Sequence, residues 1–70
     1  MLFRSTYNIT MAIFTITDPA KATLAGDWCR DNLKPDDWTL YGRNLFTGTP
    51  EYDFGFLDSK KAMMFALIWI

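Results

Sequence analysis

The sequence contains no histidine and a single cysteine, Cys29, and these two shortages exclude most catalytic chemistry. Without histidine there is no Ser-His or Cys-His pair to activate a nucleophile, and one cysteine cannot supply the ligands of a zinc site. We therefore expect no enzymatic activity, no catalytic residues, no bound metal and no cofactor. One cysteine also rules out a disulfide framework within this sequence, so we expect Cys29 to be a buried thiol of a cytoplasmic protein.

Charge of either sign is also scarce, and the two signs nearly cancel. Seven Lys and Arg residues oppose eight Asp and Glu residues, which gives a net charge of −1. Such a balance produces no positive field of the kind that draws a protein onto nucleic acid or anionic lipid. The apolar run Ala62 to Ile70 has nine residues, whereas a membrane-spanning helix needs roughly 20. We therefore expect neither nucleic acid nor a membrane as the partner.

What the chain has in abundance is apolar and aromatic surface. Half of its 70 residues are hydrophobic and 17% are aromatic. A single domain of this length buries a smaller fraction of its surface than a longer domain does. Trp28, Trp38 and Trp69 are large side chains that one small core does not cover completely. We therefore predict self-association, most simply a homodimer.

The first ten residues are set apart from the rest of the sequence. Polar residues interrupt them without a regular period, whereas Met11 to Thr17 alternates as a strand does. We expect residues 1–10 to form a disordered or loosely attached arm, with an extension of the first strand as the alternative. Met11 is then the expected natural start, and residues 11–70 the single folded domain.

Capping residues predict where two helices begin. Asp18 followed by Pro19 is typical of a helix start, and Leu24, Ala25, Trp28, Cys29 and Leu33 then recur at helical spacing. Pro35 ends that helix. Asp58 or Ser59 can cap a second helix that runs at least to Met64 or Phe65.

Two further strands lie between the helices. Residues 38–41 and 52–57 are rich in strand formers, and residues 42–51 have the glycine, asparagine and proline of a connecting loop. Residues 66–70 are entirely apolar, so periodicity leaves them as either a last strand or the end of the second helix. The predicted class is α+β, a small ferredoxin-like β-α-β-β-α-β sheet or its β-α-β-β-α variant, with both helices on one sheet face.

The third strand resembles that of RNA-recognition motif domains. Phe54, Gly55, Phe56 and Leu57 match the aromatic-rich motif of that family, while Tyr52 replaces its basic residue and Asp53 its glycine. The resemblance implies that Phe14, Phe54 and Phe56 stack on bases. Burial of Phe14 with Ala12 and Ile16 is the simpler interpretation of the first strand, and Glu51 and Asp53 oppose phosphate binding.

The whole chain is similar in style to small uncharacterised proteins of tailed phages, especially marine ones. The features that carry this resemblance are the pair Trp28-Cys29 on a first helix and the compact segment from Asp58 to Phe65 after an aromatic strand. It implies a role in the cytoplasm of a host cell, either in redirecting host machinery or in the virion.

These observations favour a non-enzymatic protein-interaction module, which acts as a homodimer or on a host protein. A virion structural component is the first alternative, and a single-stranded nucleic-acid binder is the second. The predicted interaction surface comprises the large aromatic residues of the second and third strands and of the chain end: Tyr52, Phe54, Phe56, Trp38 and Trp69.

Overall fold

The structure, a computed structural model, describes residues 11–70. The predictions about the arm, residues 1–10, lie outside this range. The described elements follow the order β-α-β-β-α: β1 (Ala12–Ile16), α1 (Pro19–Asn32), β2 (Trp38–Arg43), β3 (Glu51–Phe56) and α2 (Ser59–Trp69), with a 3-10 turn at Pro35–Asp37.

Both predicted helix starts are confirmed by hydrogen bonds. The Asp18 carboxylate accepts the backbone N–H of Ala20 at 3.0 Å, and the Asp58 carboxylate accepts that of Lys60 at 2.9 Å. Each aspartate is extended and satisfies an amide that has no partner within its helix. Pro19 occupies the first helical position, where its missing N–H costs nothing.

The three strands form one antiparallel sheet in the order β1-β3-β2. Phe54 of β3 lies opposite Phe14 of β1 and Leu40 of β2. Because side chains alternate along a strand, these three residues share one face with their neighbours two positions away. We call this helix-covered side the inner face and the other side the open face.

The core lies between the inner face and the two helices. Phe65 of α2 is fully buried at its centre, with ring centroids 5.0 Å from Phe54, 4.8 Å from Phe56 and 5.8 Å from Phe14. Trp28 of α1 meets the same ring edge-on at 6.1 Å. The predicted inward orientation of Phe14, with Ala12 and Ile16, is therefore confirmed.

The contact stripe of α1 differs from the predicted one at Leu24. Ala22, Ala25 and Cys29 are buried, whereas the side chain of Leu24 is 59% exposed. Ala22, Ala25, Gly26 and Cys29 define the buried side of α1, and at about 100° per residue Leu24 points to nearly the opposite side. Small side chains at the contact let α1 lie close to the sheet.

The ferredoxin-like topology is not confirmed, because a fourth strand is absent from residues 11–70. Residues 66–69 continue α2, and the Ile70 amide donates to the Ala66 carbonyl at 3.0 Å. The physical reason is local: the segment contains good helix formers and no glycine or proline after the cap at Asp58. The chain therefore has no turn at which to leave the helix and start a strand.

Candidate interaction surfaces

The predicted interaction surface lies mostly in the core. Phe54 and Phe56 are 0% and 1% exposed, and both point to the helices from the inner face. Trp38 and Tyr52 share that face and are half-buried. Trp69 is half-buried on α2, packed against the core. A partner cannot reach Phe54 or Phe56 without unfolding, so these residues hold the fold together.

The orientation of the aromatic rings in the sheet also bears on the base stacking that the resemblance implied. The resemblance to RNA-recognition motifs implied that Phe14, Phe54 and Phe56 present their rings to nucleic acid. In the structure all three rings turn toward Phe65 and the helices. None of these rings is therefore available as a stacking platform.

The open face carries a polar network centred on Asp53. The guanidinium of Arg43 donates two hydrogen bonds to the Asp53 carboxylate, at 2.7 and 3.0 Å, and the Thr15 hydroxyl donates a third at 2.7 Å. Arg43 also pairs with Glu51 at 2.8 Å. The network joins all three strands, because Thr15 belongs to β1, Asp53 to β3 and Arg43 to β2.

These bonds shift the titration of their members. The hydrogen bond from Arg43, with a further one from Thr15, lowers the pKa of Asp53. The hydrogen bond to Asp53 raises the pKa of Arg43 in return. Arg43 thus forms ion pairs with two carboxylates. Its positive charge is therefore neutralised within the network and is not available to bind a phosphate.

The largest group of exposed apolar side chains in residues 11–70 lies on α2, on the side turned away from the sheet. We call it the outer face of α2, and its members are between 46% and 84% exposed: Met63, Met64, Leu67, Ile68 and the flanking Ile70. Leu67 is the most exposed of them. The spacing of Met63, Met64, Leu67 and Ile68 places them on adjoining ridges of the helix. No charged residue occurs from Ala62 to Ile70, so the surface is uniformly apolar.

The outer face exists because α2 is apolar on all sides, while its core contacts occupy only one side. Ala62 and Phe65 are buried and Trp69 is half-buried against the core. A helix that is hydrophobic all round is normally surrounded by other protein. Within residues 11–70 nothing covers the outer side of α2.

Cys29 lies on the buried side of α1 and packs against the rest of the core. Its side chain has no exposed surface, and burial raises the pKa of its thiol to about 11, despite the nearby charge of Arg30. At neutral pH the thiol is protonated and inert as a nucleophile. The predicted role of Cys29 as a buried hydrophobic residue is confirmed.

The described part of the chain offers little for a small ligand. Three of its surface depressions have volumes of about 190, 300 and 240 Å³ and are shallow. The first lies between α1 and the sheet, next to Gly26, Leu40 and Tyr52. Across residues 11–70, no group of three Cys, Asp or Glu side chains is arranged to hold a metal ion. None of the helices described is long and apolar enough to cross a membrane.

A scan against protein-family models found no match for this sequence. Searches of curated proteins and of solved structures likewise found no similar protein.

The outer face of α2 was missed from the sequence, although the signal for it was present. The run from Ala62 to Ile70 contains only apolar residues, and its last five residues were expected to be either a strand or the end of the second helix. If it is helical, however, a two-layer fold can bury only one of its sides. The choice between strand and helix therefore decided whether an exposed apolar surface was expected.

Proposed function

We propose that the protein is a small non-enzymatic interaction module of the cytoplasm that binds another protein through the outer face of α2. The observation that carries this proposal is the uncharged surface formed by Met63, Met64, Leu67 and Ile68 on a folded domain. Contiguous exposed apolar patches larger than a few hundred Å² are rare on soluble domains and mark interaction sites.

The chemistry of the surface supports the same role. Interface centres are depleted of charge and enriched in methionine, and the unbranched methionine side chain adapts to the shape of its partner. Met63 and Met64 provide two such side chains, beside the more rigid Leu67 and Ile68. The open face is a weaker candidate, because its charged groups are already paired with one another.

The resemblance to small phage proteins adds a biological setting to the proposal. In that setting the module is an accessory factor that occupies a host protein. An apolar helix laid against a groove is a common mode of such recognition, with anchors at positions i, i+3, i+4 and i+7. On the outer face of α2, Met63, Leu67 and Ile70 occupy positions i, i+4 and i+7 of this pattern.

The test is affinity capture from the cell in which the protein is made, with three baits. These are the unmodified chain, Leu67→Glu, and Phe46→Glu as the matched control. Phe46 lies in the loop between β2 and β3 and is 97% exposed, so the control introduces the same charge at another exposed apolar residue. We expect the unmodified chain and Phe46→Glu to retain a protein that Leu67→Glu does not retain. Equal capture by all three baits would refute the proposed surface.

A further inference from the structure

We infer that the outer face of α2 takes a second copy of this chain, packed as an antiparallel pair of α2 helices across a two-fold axis. This inference rests on the proposed function, since it concerns the same surface: the second copy is its occupant in the isolated protein, and a host protein bound there would displace that copy. A two-fold axis places one patch against its own copy, so the patch must be complementary to itself. The outer face of α2 meets this condition in charge, in area and in the polarity of its ends.

The charge condition is met by the composition of the surface. No acidic or basic residue lies between Ala62 and Ile70, so the pairing of two copies brings no like charges together at the centre. The outward stripe of Met63, Met64, Leu67 and Ile68 provides ridges and grooves that pack against an identical stripe. Leu67, the most exposed member, is the natural central knob.

The area condition is met at the lower limit. The exposed fractions of the five members of the outer face correspond to on the order of 600 Å² of surface per copy. Complete burial of this surface in two copies would remove about 1,200 Å² from solvent, which is the lower end of the range for specific, stable interfaces. A weakly to moderately stable dimer follows.

The polarity of the helix ends selects the antiparallel arrangement. Lys60 stands at the start of α2, one turn before Met64 on the outward side, and no salt bridge to it occurs within residues 11–70. The last turn of α2 has no basic residue to offset the negative end of the helix dipole. With the two Leu67 side chains at the centre of the pair, antiparallel packing places each Lys60 about one turn beyond the end of the other α2, where its long side chain can reach the terminal carbonyl groups. A parallel pair would instead place the two lysines together.

Sedimentation equilibrium of the full chain, from low to high micromolar concentration, tests this inference. We expect the unmodified chain and Phe46→Glu to reach about twice the 8.1 kDa mass of one chain. Leu67→Glu should stay at the mass of one chain, because its carboxylate would be buried against apolar side chains and a second carboxylate. Circular dichroism should show native helix content, since residue 67 has no part in the core.

A second pair of variants gives an answer even if Leu67→Glu fails to fold. Leu67→Cys should form a disulfide-linked dimer under mild oxidation at least tenfold faster than Phe46→Cys, and the buried Cys29 should not compete. Lys60→Glu should raise the dissociation constant of the dimer by about tenfold at low salt and by less at high salt.

Each contrary result is decisive. A single-chain mass for the unmodified protein at every concentration overturns the inference, as does a dimer that Leu67→Glu leaves intact. The proposed function is tested independently of the dimer. If the unmodified chain is monomeric but still captures another protein in a manner that depends on Leu67, the surface is correct and the partner is a different protein.

Discussion

Phe56 shows how much of the stability of this domain depends on single side chains. Its ring lies 4.8 Å from that of Phe65 and 6.2 Å from that of Phe14, with almost no exposed surface. Phe56→Ala should lower the free energy of unfolding by about 3–5 kcal/mol, a large part of the margin of a small domain. Urea denaturation measures this loss. Phe46→Ala, at an exposed site, should change stability by less than about 0.5 kcal/mol, and equal effects of the two changes would contradict the described core.

Two glycines should respond in opposite ways to alanine. At Gly26 of α1, an added Cβ would meet only the Arg30 guanidinium, at 3.7 Å, which is ordinary contact. Gly26→Ala should therefore stabilise the protein by about 1 kcal/mol through helix propensity. At Gly55 of β3, the Cβ would lie 2.5 Å from the Met11 sulfur and 3.0 Å from the Thr39 methyl group.

Gly55→Ala should consequently destabilise the protein by about 1 kcal/mol, since neighbouring side chains must move to accept the methyl group. Thermal melts of the two variants should shift in opposite directions, by several degrees each in a domain of this size. A rise in melting temperature for Gly55→Ala would mean that Met11 does not cover the open face at this point.

The network that ties the three strands together should make stability depend on acid pH. The pKa of Asp53 is lowered in the folded protein, so its carboxylate contributes stability above its unfolded pKa of about 3.9 and loses that contribution as the pH falls. Arg43→Gln should raise the pKa of Asp53 toward the ordinary value in an NMR titration. The difference in melting temperature from the unmodified protein should shrink below about pH 4.

Arg30→Gln is the control for that change. Arg30 pairs with Asp27 on α1, which covers the inner face, whereas Asp53 lies on the open face of the sheet, so loss of Arg30 should leave the titration of Asp53 unaltered. An unchanged pKa of Asp53 in Arg43→Gln would show that the cross-strand contact does not form in solution.

Elements with local signals were predictable from the sequence, and those that depend on tertiary contacts were not. Asp18 and Asp58 marked both helix starts, because a capping carboxylate acts on amides two residues away. The end of β2 was placed at Tyr41, two residues early. Arg43 extends that strand by pairing with Glu51 across the sheet, a contact that the local sequence does not reveal.

The candidate site was predicted less well than the fold. Aromatic residues were chosen because they dominate interfaces, but the same property makes them the first residues that a small core buries. Phe54 and Phe56 fill the space between sheet and helices, while the flexible Met63 and Met64 remain outside. Composition alone does not tell a buried apolar side chain from an exposed one. That distinction requires knowing which side of each helix or strand faces its neighbour.

For the molecule as a whole, self-association should make thermal stability depend on concentration. Assembly that favours the folded state raises the melting temperature as the protein concentration rises. We expect this rise across a wide dilution series for the unmodified chain and for Phe46→Glu, and its absence in Leu67→Glu. Differential scanning fluorimetry at several concentrations checks the prediction, and a melting temperature independent of concentration in the unmodified chain would argue against the dimer.

The strand order gives β1 a free edge within the described part of the chain, since β3 pairs with only one of its sides. Natural sheets protect such edges with lysine, proline or a bulge. From Ser5 to Thr17 the sequence has no charge, no proline and no glycine. A chain that loses part of its core therefore exposes a segment suited to stacking into cross-β fibrils. We therefore expect a loss of core packing at Phe56 or Phe65 to favour fibril formation as well as unfolding.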